Sequence, residues 1–199
     1  MPRPTRQQID EEILDAAAAL FARHGVAHTS VQRVADATGY SKTGLLHRFP
    51  TKEALAEAAL TLTLEHVHRL AGGVAASPPG PARDRAVVGA LADLALARPG
   101  LTALALSSVG GGVEEQARRL EELAAALFEA FAAPPDAPAE RVVRLTTCLG
   151  GLATAALACR DQPPHLVRPL LVAAATGALG HPADAPADPP AEPPTDARD

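Results

Sequence analysis

A chain of 199 residues with 47% hydrophobic and 21% charged residues can bury a sizeable core, and two cysteines are too few for the disulfide framework of a small secreted domain. The net charge of −5 argues against a protein that coats nucleic acid by charge alone, but the charge is unevenly spread: residues 1–52 hold seven Lys/Arg against five Asp/Glu, and residues 53–199 hold eleven against eighteen. Uncharged runs such as Leu145 to Cys159 reach fifteen residues, short of the roughly 20 that span a bilayer; with Met1-Pro2-Arg3-Pro4 leading straight into a polar helix start, a cytoplasmic protein with no membrane partner is expected.

Alanine and leucine dominate, β-branched residues are sparse, and glycine and proline cluster between apolar stretches, so the expected fold class is all-α. Thr5 with Gln8 forms a capping box for a first helix, in which Ile9, Ile13, Leu14, Ala17, Leu20 and Phe21 recur at helical spacing up to Gly25. The stretch from Thr29 to Lys52 then reads as a helix-turn-helix. Thr29 with Gln32 makes a capping box, Val31, Val34 and Ala35 give an apolar edge, and Gly39 ends the helix. Ser41 caps a second helix of about two turns whose buried side is Leu45, Leu46 and Phe49, and Pro50 stops it before Thr51 caps the next.

Lys42 and Lys52 are the only lysines of the chain, and each falls in the first turn of an expected helix. A cation there opposes the helix dipole, and the outward backbone N–H groups beside it suit a phosphate. Gly44 lowers the helix propensity of this short element, which fits a backbone that approaches another surface closely. The run Ser41-Lys42-Thr43-Gly44-Leu45-Leu46-His47-Arg48-Phe49-Pro50-Thr51-Lys52-Glu53-Ala54-Leu55 resembles the end of the amino-terminal domain of TetR-type (TetR/AcrR) transcriptional regulators. The resemblance covers about fifty residues, with caps, turn glycine, Phe49 and Lys52-Glu53 in register. It departs at Leu46, where the family usually has a phosphate-touching tyrosine, and at Arg48, which replaces a common aromatic. Tyr40, at the turn, offers a hydroxyl in place of the missing one.

A fourth helix is expected from Thr51 to about Leu70, then a loop at Gly72-Gly73 and Ser77-Pro78-Pro79-Gly80-Pro81. Further helices are expected over about Arg83–Ala97, Leu101–Val109, Val113–Ala132, Ala139–Arg160 and His165–Leu179, separated by Pro99-Gly100, Gly110-Gly111-Gly112 and Pro134-Pro135. The segment from His181 to Asp199, with six prolines and five acids in nineteen residues, is expected to be a disordered tail. The division is then a helix-turn-helix domain at 1–50, a helical effector-binding and dimerisation domain at 51–180, and the tail at 181–199.

The resemblance implies a ligand-responsive regulator, a repressor that binds a palindromic double-stranded DNA operator as a homodimer and answers to a small-molecule effector of unknown identity. The DNA-binding set is Thr29, Tyr40, Ser41, Lys42, Thr43, His47, Arg48 and Lys52. An effector pocket is expected among Leu104, Ser107, Ser108, Leu123, Leu127, Phe128 and Thr147, and a dimer interface on the small residues of the last two helices, at Gly150, Gly151, Thr154, Ala158, Leu170 and Ala174. Phe128 and Phe131 are the aromatics of the body, which argues against an aromatic cage for a flat cation. Cys148 and Cys159 read as small buried hydrophobes, and the histidines form no metal-ligand cluster, so no metal and no cofactor is expected. Two alternatives stay open: a helical-bundle carrier or enzyme, against which stands the lack of a nucleophile with a base, of suggestively paired carboxylates and of a phosphate loop; and an activator without an effector.

Overall fold

The computed structural model describes residues 5–107 and 114–181, and the described residues form nine helices and no strand: α1 (Arg6–His24), α2 (Val31–Thr38), α3 (Lys42–Arg48), α4 (Lys52–Val74), α5 (Pro81–Ala97), α6 (Pro99–Ser107), α7 (Glu114–Ala130), α8 (Ala139–Ala158) and α9 (Pro164–Ala178). The fold class is all-α. Local side chains start the first elements. The Thr5 hydroxyl accepts the Gln8 N–H at 3.2 Å while the Gln8 side chain accepts the Thr5 N–H at 2.8 Å, and Thr51 caps α4 by accepting the Ala54 N–H at 3.0 Å.

Two expected breakers lie inside helices. Gly72 and Gly73 sit within α4, which runs on to Val74 because Ala71 and Val74 are buried against the body. Pro99 and Gly100 open α6 instead of separating it from α5 by a loop. A proline fits a first turn, where its missing N–H has no partner to lose. Gly100 is required by packing: a Cβ there would overlap the Asp15 carbonyl of α1, so α6 crosses α1 in backbone contact. At that crossing the Asp15 carboxylate accepts the Leu101 N–H at 2.9 Å, and Arg98 pairs with Glu11 at 2.7 Å.

The core has two main parts. One joins Ile13, Ala17 and Phe21 of α1 to Val34 of α2, Leu45 of α3, Leu55 to Leu62 of α4, and Leu101 and Leu104 of α6. The other joins the end of α4 to α5, the end of α7, α8 and α9, around Val87, Val88, Phe131, Leu145 and Leu171. Val67, Leu123 and Ala126 form a smaller cluster between α4 and α7. A buried polar knot closes the second part. Asp84, whose side chain is 2% exposed, is held by both guanidinium nitrogens of Arg141 at 2.9 Å and by His181 Nε2 at 2.7 Å. Burial pushes the Asp84 carboxyl up, but the Arg141 and His181 hydrogen bonds outweigh it and leave the group below its ordinary value. Arg83, also buried, donates to the carbonyls of Ala130, Glu129 and Ser77, closing the carboxy-terminal end of α7. His181, expected to begin the tail, is thus tied to the body, and residues 182–199 lie outside the described residues.

Candidate nucleic-acid interface

The α2–turn–α3 unit is set by its own short-range bonds and by α1. Gly39 takes a left-handed conformation (φ 72°, ψ 12°) that ends α2, and the Tyr40 N–H returns to the Ala35 carbonyl at 3.1 Å. The Ser41 hydroxyl accepts the Gly44 N–H at 3.0 Å, and a Cβ at position 44 would crowd that same oxygen. Gly44 therefore has a local reason, the cap, beside any approach to a partner. Leu45 is buried in the core shared with α1 and α2. Lys42, Thr43, Leu46 and His47 are exposed together, as three- and four-residue spacing requires. Tyr40 is exposed before them.

Three members of the expected DNA-binding set are placed otherwise. Thr29 is 1% exposed and does not cap α2; its hydroxyl donates to the Gly25 carbonyl at 2.8 Å, and Ser30 makes the cap by accepting the Arg33 N–H at 3.2 Å. A buried hydroxyl with a satisfied proton has no phosphate to hold, so Thr29 leaves the set. Arg48 turns back from the exposed face of α3 to pair with Asp10 of α1, fixing α3 on its support. Lys52 donates to the Ala27 carbonyl at 2.7 Å and so secures the loop between α1 and α2, with two ammonium protons left over. Arg33, outside the expected set, is exposed in the first turn of α2. It lies near His24 and Arg23, and the His24 ring is held below the ordinary histidine range by desolvation and then by these two charges. The signal was present in the sequence: a cation in a first turn, the same feature that singled out Lys42.

The expected pocket residues do not converge. Leu104 lies in the core shared with α1, Leu123 packs with Val67 and Ala126, and Leu127 bridges that cluster and the larger one. Ser107 donates to its own helix at the Leu104 carbonyl (3.0 Å), Thr147 is exposed on α8, and Ser108 lies outside the described residues. Phe128 lines an open cleft of about 750 Å³ walled by Arg83, Ala125, Ala132, Pro134, Pro135 and Val142 among others. The interface residues are exposed at Gly151, Thr154, Ala158, Leu170 and Ala174 and half-buried at Gly150. Leu170 is 71% exposed, Val143 63% and Leu166 56%. A Cβ built at Gly150, Gly151 or Gly177 would meet nothing within 4 Å, so nothing in the chain itself calls for glycine there. Among the described residues no group of His, Cys, Asp and Glu is arranged to hold a metal ion, and no single helix is long and apolar enough to cross a membrane.

Residues 13–59, the span from α1 to the first third of α4, match the family described as bacterial regulatory proteins, tetR family. The solved structure of AmtR from Mycobacterium smegmatis is 31% identical, with 92% of each chain covered and a TM-score of 0.56. A TetR family transcription regulator from Marinobacter aquaeolei is 22% identical over 87% of this chain and 98% of its own, with a TM-score of 0.59. PfmR, a TetR family regulator from Thermus thermophilus, is 19% identical over 89% and 97%, with a TM-score of 0.57. No curated protein matches the chain significantly.

Proposed function

The chain belongs to the tetR family of bacterial regulatory proteins, and from that premise we propose that it is a cytoplasmic, effector-responsive repressor binding a palindromic operator as a homodimer. The observation that carries the reading is the outward face of α3: Lys42, Thr43 and His47 are exposed together, and no carboxylate of the described residues is paired with Lys42. Such a helix fits a major groove, with base edges met by Thr43 and His47 and phosphates by Lys42, Arg33, Tyr40, Ser41 and the spare protons of Lys52. The reader occupies residues 1–50, completed by the start of α4, and the body 51–180.

A two-turn reader distinguishes few base pairs by itself, so two-fold pairing is part of the proposal. The exposed apolar side of α8 and α9, with glycines where a neighbouring helix must come close, supports it. The cleft beside Phe128, within the size range of ligand sites, supports an effector that is largely apolar. Coupling runs along α4, which starts at Lys52 beside the reader and ends buried in the body. The test is selection of bound DNA from a random pool with the full chain. A two-fold symmetric consensus is the expected outcome, together with a loss of about one unit in the slope of log affinity against log salt for Lys42→Ala. A pool that emerges without enrichment rejects the reading.

A further inference from the structure

The chemistry displayed by α3 is unusual for a base reader. Adenine is read best by Asn or Gln and guanine by the fork of Arg, each making two hydrogen bonds at once. The exposed face of α3 carries no Asn, Gln or free Arg, because its arginine, Arg48, is paired with Asp10 of α1, and Lys, which can also meet guanine, is present once. Its cation is the ammonium of Lys42, a point charge without a planar fork. What remains is Thr43, His47 and Leu46. The sequence pattern puts Leu46 on the buried side, but it is 36% exposed and belongs to no core cluster, whereas its neighbour Leu45 is 1% exposed. It stands one turn along from Lys42 and Thr43 on the same face.

A leucine so placed gains only where an apolar group meets it. In the major groove one base edge offers such a group, the C5-methyl of thymine. We propose that Leu46, an apolar side chain without the hydroxyl by which the family's usual tyrosine reaches a phosphate, is instead a specificity-determining residue that selects thymine in each operator half-site by packing on that methyl group. The inference rests on the reading of α3 as the recognition helix. Lys42 holds the helix on an anionic partner while Leu46 finds the apolar spot, so charge supplies affinity and the methyl contact supplies discrimination. Tyr40 and Leu46 are the large apolar side chains exposed by α1–α3. Tyr40 precedes α3 and ends in a hydroxyl, which leaves Leu46 as the wholly apolar contact.

The experiment uses the full chain and its selected operator, with each thymine replaced singly by deoxyuracil, which removes the methyl group and keeps every hydrogen-bonding atom. For the native protein, one thymine in each half-site should lose about fourfold in affinity on replacement, the worth of one methyl-sized group taken out of water. In Leu46→Ala that ratio should fall to about one at this position and stay unchanged at the others. Leu46 is exposed, so the variant keeps its fold, which its unchanged helical circular dichroism will verify. The proposal is overturned if the thymine/deoxyuracil ratio is the same in native and variant protein at every position, or if the sensitivity survives Leu46→Ala and disappears in Thr43→Ser. A selected half-site without a methyl-sensitive thymine also overturns it and leaves the regulator reading intact. A chain that selects no sequence overturns both.

Discussion

Asp15 shows how one half-buried carboxylate records the junction between α1 and α6. Burial pushes its carboxyl above the ordinary aspartate value, and the N–H groups of Leu101 and Gly100, with Arg98, only partly offset this. A carboxyl whose pKa is higher in the folded chain favours folding while it is protonated, and that contribution is lost as pH rises from the unfolded value through the folded one. Ionised Asp15 therefore costs stability at neutral pH. Asp15→Asn keeps an oxygen for the Leu101 N–H without the charge, so its melting temperature should exceed the native one at pH 7 and converge on it as pH falls toward about 4, the ordinary aspartate value; thermal unfolding across that range checks both the sign and the window. A native advantage at pH 7 would mean that the ionised form is the one the junction uses. Cys148 gives a second measurable contrast. Burial first, and then the charge of Asp84, push its thiol up to about 11, while Cys159 is half-buried at the end of α8. At pH 8 a thiol reagent should modify Cys159 in the native protein and reach Cys148 only on unfolding, as peptide mapping would show.

Among the elements, α6 has the narrowest tolerance. Its crossing with α1 leaves no room for a single methyl group at Gly100, so Gly100→Ala should cost about 2 kcal/mol or more by overpacking, seen as a lower denaturant midpoint with the slope unchanged. Substituting Gly150, which has open space around it, should leave the stability of a single chain within about 1 kcal/mol or raise it. The same comparison explains what is legible in the sequence. Helix starts at Thr5, Ser41 and Thr51 are readable because the capping bond spans three residues. Thr29 passes for the cap in place of Ser30 because its inward turn is decided by a carbonyl of the preceding loop. Lys42, Thr43 and His47 share a face by periodicity alone. Arg48 and Lys52 look like free cations for DNA because their partners, Asp10 and the Ala27 carbonyl, lie 38 and 25 residues away. Gly100 looks like a breaker for the same reason, since the helix that demands it is distant in sequence. The grouping expected of the pocket residues is the least legible, because it depends on how α6, α7 and α8 sit against one another, which no local pattern encodes.

For the molecule as a whole, the proposed pairing through α8 and α9 joins stability of assembly to recognition. Gly151→Arg places a charged, bulky group on that face without touching the chain's own core, so the variant should sediment as a folded monomer and bind the selected operator near its nonspecific level. A dimer that survives this change would locate the pairing surface elsewhere. The shared core of α1 and α6 acts at a different moment, while the chain is still being made. Leu101 and Leu104 fill the space beneath α1 and α4, so the DNA-reading end cannot close its core when α4 leaves the ribosome; it must wait until α6 has followed. A chain cut short before residue 100 would then be a poorly packed fragment, open to proteolysis, and not a small free-standing reader. Under the proposed function, the cell is thereby spared headpieces that occupy operators while deaf to any signal, and the order of synthesis itself ties DNA binding to possession of the body proposed to govern it.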